Sequence, residues 1–153
     1  MDVAKVYAVI AMCLELKEYG LSDNEIIDFV NFSFWKLKKI FAVFEKMIDM
    51  LPNSYQIAKK WNVSDHANRV KDGSIIYDMF EVSDGKIEYS ISKCMYIEMF
   101  QYYGIRRLCK IFCMTDEYAY ANIPRHVKFI RHSDLSEGDC CHDEVIDRRM
   151  VKK

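Results

Sequence analysis

Several side chains in the second half of the chain can attack carbon or bind metal ions. The first is Cys94, which follows a β-rich run and precedes a helical pattern. The positive end of a helix dipole lowers the pKa of a thiol at the helix N-terminus, and the ammonium of Lys93 acts in the same direction. We therefore expect a nucleophile or a metal ligand at Cys94. The alternative is a cysteine that fills a small apolar gap.

Two more cysteines share a predicted helix with an aspartate. Cys109, Cys113 and Asp116 are separated by four and three residues, so their side chains can lie on one helical face. Two thiolates and a carboxylate would suit zinc if a fourth ligand came from elsewhere in the chain. The helix is otherwise largely apolar, so Cys109 could also belong to its core face.

The run Cys140-Cys141-His142-Asp143 follows a glycine turn and holds four metal ligands or proton carriers. In an extended segment, Cys140 and His142 face one way while Cys141 and Asp143 face the other. Only one of these two pairs can then point into a common pocket. A histidine that meets a carboxylate is also a general-base pairing. We expect this segment to meet the other cysteines in one site.

Two arginines near a predicted strand are candidates for substrate binding. Arg125 lies just before this strand and Arg131 lies at its end. A guanidinium holds a carboxylate through two parallel hydrogen bonds, so either side chain could bind an acidic substrate. The alternative is that both arginines are solvated.

Residues 1–51 are predicted to form a helical scaffold. Apolar residues recur at helical spacing over 3–19, and Gly20 supplies a stop. The next helix carries one continuous apolar stripe over 26–51 and ends at Pro52, because proline cannot extend the hydrogen-bond ladder. This stripe could serve as a homodimer surface.

Two capping patterns mark further helix starts. Ser22 and Glu25 form a capping box, in which each side chain reaches the other residue's backbone amide. Ser64 and Asp65 form a second capping signal, so residues 54–72 are predicted to be short helical pieces.

A hairpin, two helices and two closing strands complete the chain. Asp84-Gly85 predicts a tight turn inside the hairpin. The predicted bounds are 75–82 and 86–91 for the hairpin strands, a helix ending at Gly104, a helix over about 105–121, and strands around 127–131 and 144–148. We therefore predict one α+β domain over 1–153, with a helical N-terminal half packed on a small antiparallel sheet. The region 75–150 would carry the site.

The composition argues against several classes of protein. The chain has 22 basic and 23 acidic residues and a formal net charge of −1, so no basic surface for nucleic acid is expected. No stretch reaches the ~18 apolar residues of a membrane span. The opening segment starts with Asp2 instead of a positive cluster, unlike a signal peptide. We expect a cytoplasmic protein whose six cysteines are thiols or metal ligands.

Residues 89–143 resemble the L-2-amino-thiazoline-4-carboxylic acid hydrolase family. The matching pieces occur in the same order and are residues 89–96, Tyr103-Gly104 leading to Leu108-Cys109, residues 112–116 and residues 135–143. The order of the elements also resembles the related 4-vinyl-reductase-type small-molecule-binding domain.

The resemblance implies a hydrolase that opens a cyclic amidine at a C–N bond. The family reaction converts L-2-amino-thiazoline-4-carboxylate to N-carbamoyl-L-cysteine, so the partner would be a small-molecule substrate. The positions that match the family's recurring polar residues are Cys94, Cys113, Asp116 and Cys141. The alternative function is a non-catalytic sensor domain that binds a small molecule or a metal.

Two mechanisms stay open for this reaction. In the first, zinc lowers the pKa of a bound water and delivers hydroxide to the amidine carbon, while Asp116 acts as the base or holds the exocyclic nitrogen. The zinc ligands would be Cys94, Cys113 and either Cys141 or His142. In the second, Cys94 attacks as a thiolate, His142 moves the proton and no metal takes part.

Overall fold

The protein folds as an α+β domain with one antiparallel sheet, in which helices precede the first strand and two further helices lie between the second and third strands. The computed structural model describes residues 3–37 and 39–150, without the side chains of 34–41. Its helices are α1 (Val3–Glu18), α2 (Asp23–Leu37), α3 (Lys39–Asp49), α4 (Ser54–Asp72), α5 (Met95–Tyr102) and α6 (Lys110–Ala121). Its strands are β1 (Ile75–Val82), β2 (Lys86–Cys94), β3 (Val127–Ser133) and β4 (Cys141–Asp147), and their order in the sheet is β1-β2-β4-β3. The predicted fold class is confirmed.

The end of α1 and the start of α2 follow the sequence signals. Gly20 adopts a left-handed φ of 84°, and its amide donates to the carbonyl of Lys17 at 2.9 Å. The predicted capping box is present, since the amide of Ser22 donates to Glu25 Oε2 at 2.8 Å and the amide of Glu25 donates to Ser22 Oγ at 3.4 Å. The junction is therefore fixed by local hydrogen bonds.

The predicted break inside residues 54–72 is wrong, because α4 is one helix from Ser54 to Asp72. Ser64 and Asp65 lie on its exposed side, where polar side chains are solvated without interrupting the helix. Asp65 instead pairs with Arg69 one turn later, at 3.3 Å. This pair becomes important at the site described below.

The predicted stripe over 26–51 is divided between α2 and α3. Ile26, Val30 and Ile48 are buried, whereas Phe44 and Leu51 are exposed. Lys38 and the side chains of 34–41 lie outside the described residues. The prediction of one continuous helix concerns this junction and therefore also falls outside them. The homodimer surface on these helices stays a prediction.

Several strand and helix bounds differ from the predicted ones. The strand β2 continues to Cys94, and β4 begins at Cys141 instead of near 144. Pairing with neighbouring strands extends both elements, because β2 lies between β1 and β4. The predicted helix over 105–121 begins as a 3₁₀ turn, Arg106–Cys109, before α6.

The strand β4 shows which side of the sheet faces the helices. Its residues alternate strictly between buried and half-buried, and Cys141, Asp143, Val145 and Asp147 are the buried ones. Residues on one face of a strand share a two-residue period, so His142 and Glu144 lie on the opposite, outer face.

In the described part of the chain, no helix is both long and apolar enough to cross a bilayer.

Candidate active site

The inner face of the sheet, α4 and α6 enclose a cavity of about 400 Å³. Ligand pockets for small molecules are commonly ~300–1,000 Å³. Four thiols line the cavity, and these are Cys94, Cys109, Cys113 and Cys141. Its aromatic lining includes Tyr77, Phe80, Tyr89, Tyr96, Phe112 and Tyr120, and its charged lining includes Asp65, Arg69, Asp116, Arg131 and Asp143. One cavity is thus lined by residues that are far apart in the sequence, including the predicted site residues Cys94, Cys113, Asp116 and Cys141.

The strand β4 settles which half of the 140–143 run faces the cavity. Cys141 and Asp143 line it. His142 points to the outer face, where its Nε2 lies 2.9 Å from Glu88 Oε1. Cys140 also lies apart from the cavity, with its sulfur 3.6 Å from Ser133 Oγ. The expectation that His142 could join Cys94 in one site is therefore wrong on geometry, because adjacent strand residues face opposite ways.

Arg131 and Asp143 form the most buried ion pair of the cavity. The guanidinium donates from Nε to Oδ1 at 2.9 Å and from Nη2 to Oδ2 at 3.0 Å, a bidentate arrangement. Their side chains are only 11% and 2% exposed. The Asp143 carboxylate raises the pKa of Arg131 above its usual range, against the effect of burial. Arg131 is thus a fixed cation in the wall.

Asp116 lies on the open side of this pair. Its Oδ2 accepts a hydrogen bond from Arg131 Nη2 at 3.3 Å, while 54% of its side-chain surface stays accessible. Desolvation in the cavity raises the pKa of Asp116 to about 6, and the positive charge of Arg131 opposes this rise. A carboxylate with a pKa close to neutral pH suits general-base catalysis.

Arg131 is fully engaged within the cavity wall. Its Nη1 donates to the carbonyl of Cys113 and to Glu117 Oε1, the latter at 3.3 Å. Together with the bonds to Asp143 and Asp116, these contacts occupy both terminal nitrogens. Arg131 lines the cavity, and its predicted role in binding a substrate carboxylate stays a prediction.

Cys94 lies at the junction of β2 and α5, as predicted. It is the N-cap residue of α5, with extended backbone angles. The amides of Tyr96 and Ile97 favour its thiolate, although neither reaches the geometry of a capping hydrogen bond. Burial has the larger effect and raises the pKa of Cys94. The expected lowering is therefore wrong.

The ammonium of Lys93, the second group that was expected to lower the pKa of Cys94, is engaged elsewhere. The ammonium of Lys93 is 3.0 Å from Glu98, and both side chains are more than half exposed. Neighbouring strand residues point to opposite faces, which carries Lys93 away from the buried thiol. Cys94 is thus protonated at rest, and a base must remove its proton for it to react.

Two further cavity thiols, Cys109 and Cys141, also have raised pKa values. A hydrogen bond to Cys113, together with burial, keeps the pKa of Cys109 well above its ordinary value. Burial raises the pKa of Cys141 to about 12, although the amide of Leu135 donates to its sulfur at 3.3 Å. The face that Cys109, Cys113 and Asp116 were predicted to share does line the cavity.

Arg69 is a cavity residue that the sequence interpretation did not identify. Its Nη1 donates to Tyr96 Oη at 3.0 Å, and its Nε lies 3.3 Å from the Asp65 carboxylate. Within the described residues these bonds use Nε and Nη1, which leaves Nη2 for a ligand. The four-residue spacing from Asp65 would have indicated this arginine if 54–72 had been predicted as one helix.

Arg125, the other predicted substrate ligand, is not at the cavity. Its side chain is 63% exposed and lies 3.6 Å from the Asp49 carboxylate, and its backbone amide also donates to Asp49. The prediction for Arg125 is wrong because the turn before β3 directs this side chain to the surface.

The three thiols predicted as zinc ligands share the cavity without forming a compact metal cluster. In the described part of the chain, a different group of side chains is close enough to hold a metal ion. Its members are His132, His142 and Glu144, and their donor atoms all lie within 4.8 Å of one another. Cys94, Cys113 and Cys141 do not form such a group. Zinc at these thiols stays a prediction, and no step below depends on it.

The family model described as L-2-amino-thiazoline-4-carboxylic acid hydrolase matches residues 15–143. This range covers most of the chain and includes α2 to β3 and the start of β4, so the match contains every cysteine, aspartate and arginine of the cavity. The chain belongs to this family. The comparisons with curated proteins and with solved structures gave no match.

Proposed function

We propose that the protein is a hydrolase that opens the ring of L-2-amino-thiazoline-4-carboxylate or a close analogue, and that the thiol-lined cavity is its active site. The observation that carries this proposal is that Cys94, Asp116 and Arg69 line one cavity of about 400 Å³ in a chain of this family. A nucleophile, a base and a carboxylate-binding cation are the groups that such a reaction needs.

The atoms of the family reaction determine which bond breaks. N-carbamoyl-L-cysteine keeps both nitrogens of the amidine and has a free thiol. Water must therefore supply the carbonyl oxygen, and the ring C–S bond is the one that opens. The C–N bond expected from the sequence would instead break if the product were S-carbamoyl-L-cysteine, which has a free amine and no free thiol.

Arg69 is the residue that we assign to the substrate carboxylate. Its side chain is mostly buried, and Asp65 and Tyr96 hold two of its nitrogens. This support fixes the guanidinium in place, and a fixed guanidinium binds a carboxylate with little loss of conformational entropy. The amidine at the other end of the substrate is a cation when protonated, so it would pair with the carboxylate of Asp116.

Cys94 is the residue that we assign as the nucleophile. Its thiol passes a proton to Asp116 as the sulfur bonds to the amidine carbon, and the amides of Tyr96 and Ile97 stabilise the developing thiolate. The ring C–S bond then breaks, and the ring sulfur leaves as a thiol with the proton from Asp116. The substrate stays bound to Cys94 through the amidine carbon.

Water completes the reaction. Asp116, again ionised, takes a proton from water, whose oxygen bonds to the amidine carbon. The bond from this carbon to Cys94 breaks, and the proton returns to the Cys94 sulfur. The product is the carbamoyl compound, and the enzyme recovers its starting state. His142 has no part in these steps because it lies on the other face of β4.

A non-catalytic binding domain is the second candidate function. The observation that favours it is the combination of an aromatic lining with thiols whose pKa values burial raises, because neutral thiols and aromatic rings suit an apolar ligand. A domain of this kind would bind its ligand without converting it.

One incubation distinguishes the hydrolase from the binding domain, and C–S cleavage from C–N cleavage. The purified protein is mixed with L-2-amino-thiazoline-4-carboxylate, and free thiol is titrated while the product is identified by mass spectrometry. New thiol together with N-carbamoyl-L-cysteine supports C–S cleavage, and a new amine without thiol supports C–N cleavage. Calorimetric binding without any product would support the binding domain and contradict the hydrolase.

A further inference from the structure

The outer face of the sheet carries a second cluster of metal-ligating side chains. His142 and Glu144 of β4 point outward by strand alternation, and His132 of β3 joins them. Arg131 pairs with Asp143 in the β3–β4 ladder, whereas Ser133 pairs with His142, so the register shifts at His132. Such a bulge re-aims the side chain of the extra residue. The two imidazole rings lie 4.7 Å apart.

The charges around this cluster favour a cation. Glu88 and Glu144 lie directly opposite each other in the β2–β4 ladder, and like charges in that position destabilise a sheet. One ammonium, that of Lys86, contacts Glu88 and lies 3.7 Å from Glu144. Glu88, Glu144 and Lys86 together carry one net negative charge. The Nε2 atom of His142, which can bind a metal ion, lies 2.9 Å from Glu88 Oε1.

We propose that His132, His142 and Glu144 form a binding site for a divalent transition-metal ion of the zinc class. Two imidazoles and one carboxylate are a ligand set that such ions prefer. Glu88 lies 2.9 Å from His142 Nε2 and is the candidate for a fourth ligand. The donor atoms lie within 4.8 Å of one another. Bonds of ~2.1 Å to a tetrahedral ion would bring them to roughly 3.4 Å. The histidine side chains are 44% and 36% exposed, so they are free to make this adjustment.

The site would join β3 and β4, two strands that also carry cavity residues. His132 follows Arg131 on β3, and His142 lies between Cys141 and Asp143 on β4. A bound ion would therefore fix the strands that hold the Arg131–Asp143 pair. Its role would be structural and separate from the ring-opening chemistry, so the inference does not depend on the proposed function.

The test uses Zn²⁺ and Co²⁺ as probes on chelator-treated full-length protein. We expect one equivalent of Zn²⁺ by calorimetry, and a higher urea midpoint in its presence, because an ion that binds only the folded state stabilises it. His132→Asn and His142→Asn should each weaken Zn²⁺ binding by at least about tenfold. His66→Asn is the matched control, since His66 stacks on Phe80 outside this cluster.

Two further readouts identify the ligands. Lys86→Gln should strengthen Zn²⁺ binding, because it removes the cation that competes for Glu88 and Glu144. Co²⁺ should give visible absorption of nitrogen and oxygen coordination without a thiolate charge-transfer band. Zn²⁺ binding that survives both histidine variants, a thiolate band with Co²⁺, or no binding to folded wild-type protein would each overturn the proposal.

Discussion

Arg131 of β3 donates two parallel hydrogen bonds to Asp143 of β4. Its Nε lies 2.9 Å from Oδ1 and its Nη2 lies 3.0 Å from Oδ2. The two residues are also direct partners in the strand register. The pair closes one wall of the cavity, and the same guanidinium contacts Asp116. The position of the proposed base thus depends on a buried ion pair.

Arg131→Met should strongly destabilise the fold. Removing one partner leaves the Asp143 carboxylate buried without its counterion, which typically costs about 3–5 kcal/mol of unfolding free energy. Urea denaturation measures the change. Arg125→Met is the matched control, because the Arg125 side chain is 63% exposed and Asp49 keeps the hydrogen bond from the backbone amide of residue 125, so the loss should be less than about 1 kcal/mol. Equal losses in the two variants would contradict the structural role of Arg131.

Asp116 should set the pH dependence of ring opening. The base works only when ionised, so kcat/KM should rise with pH and reach half its plateau near a pKa of about 6. Asp116→Asn should lower kcat by about 10²–10⁴-fold and remove this rise. Glu117→Gln is the control, since Glu117 also contacts Arg131 but does not line this cavity. A profile that is flat from acidic to neutral pH would rule out this base.

Asp116 should also affect stability in a pH-dependent way. Its pKa is raised in the folded state from the ordinary value of 3.8 to about 6, so between these values the folded state binds more protons than the unfolded state. The free energy of unfolding should therefore fall as the pH rises through this window, and Asp116→Asn should flatten the fall. Urea midpoints of the two proteins at pH 4 and pH 7 provide the measurement. A wild-type protein without any excess loss relative to the variant would contradict the raised pKa.

Arg69→Gln should weaken substrate binding more than it slows the chemistry. A hydrogen bond to a charged group contributes ~1.5–3 kcal/mol, so KM should rise by roughly ten- to a hundredfold while kcat changes little. The matched control is chemical: 2-aminothiazoline without the carboxylate should be turned over equally by wild type and variant. A similar loss with both substrates would show that Arg69 supports the cavity wall without contacting the carboxylate.

Local rules in the sequence predict the scaffold because the interactions that set it are local. The capping box of Ser22 and Glu25 and the Asp84-Gly85 turn are each decided within a few residues, and both occur in the structure. The break predicted near Ser64 fails because a solvent-facing polar residue is compatible with a continuous helix. The early start of β4 at Cys141 depends on pairing with β2 and β3, which a local pattern does not contain.

The same distinction applies to the site. Strand alternation divides Cys141 and Asp143 from His142, but only the packed sheet decides which pair faces the helices. The helix dipole at Cys94 is a local effect, whereas the burial that outweighs it is a tertiary one. The spacing of Arg69 from Asp65 is a local signal, whereas the place of Arg69 at the cavity depends on the position of α4 over the sheet.

Covalent attachment of Cys94 to the substrate is the step on which the proposed mechanism depends, and peptide mapping after rapid acid quench detects it. Turnover of L-2-amino-thiazoline-4-carboxylate is stopped within the first cycle, and each cysteine peptide is weighed. The peptide with Cys94 should carry the mass of one whole substrate molecule, and Cys94→Ser should lose activity by about a thousandfold or more, while Cys140→Ser stays active. Full activity in Cys94→Ser, or an adduct on Cys140 outside the cavity, would contradict the account.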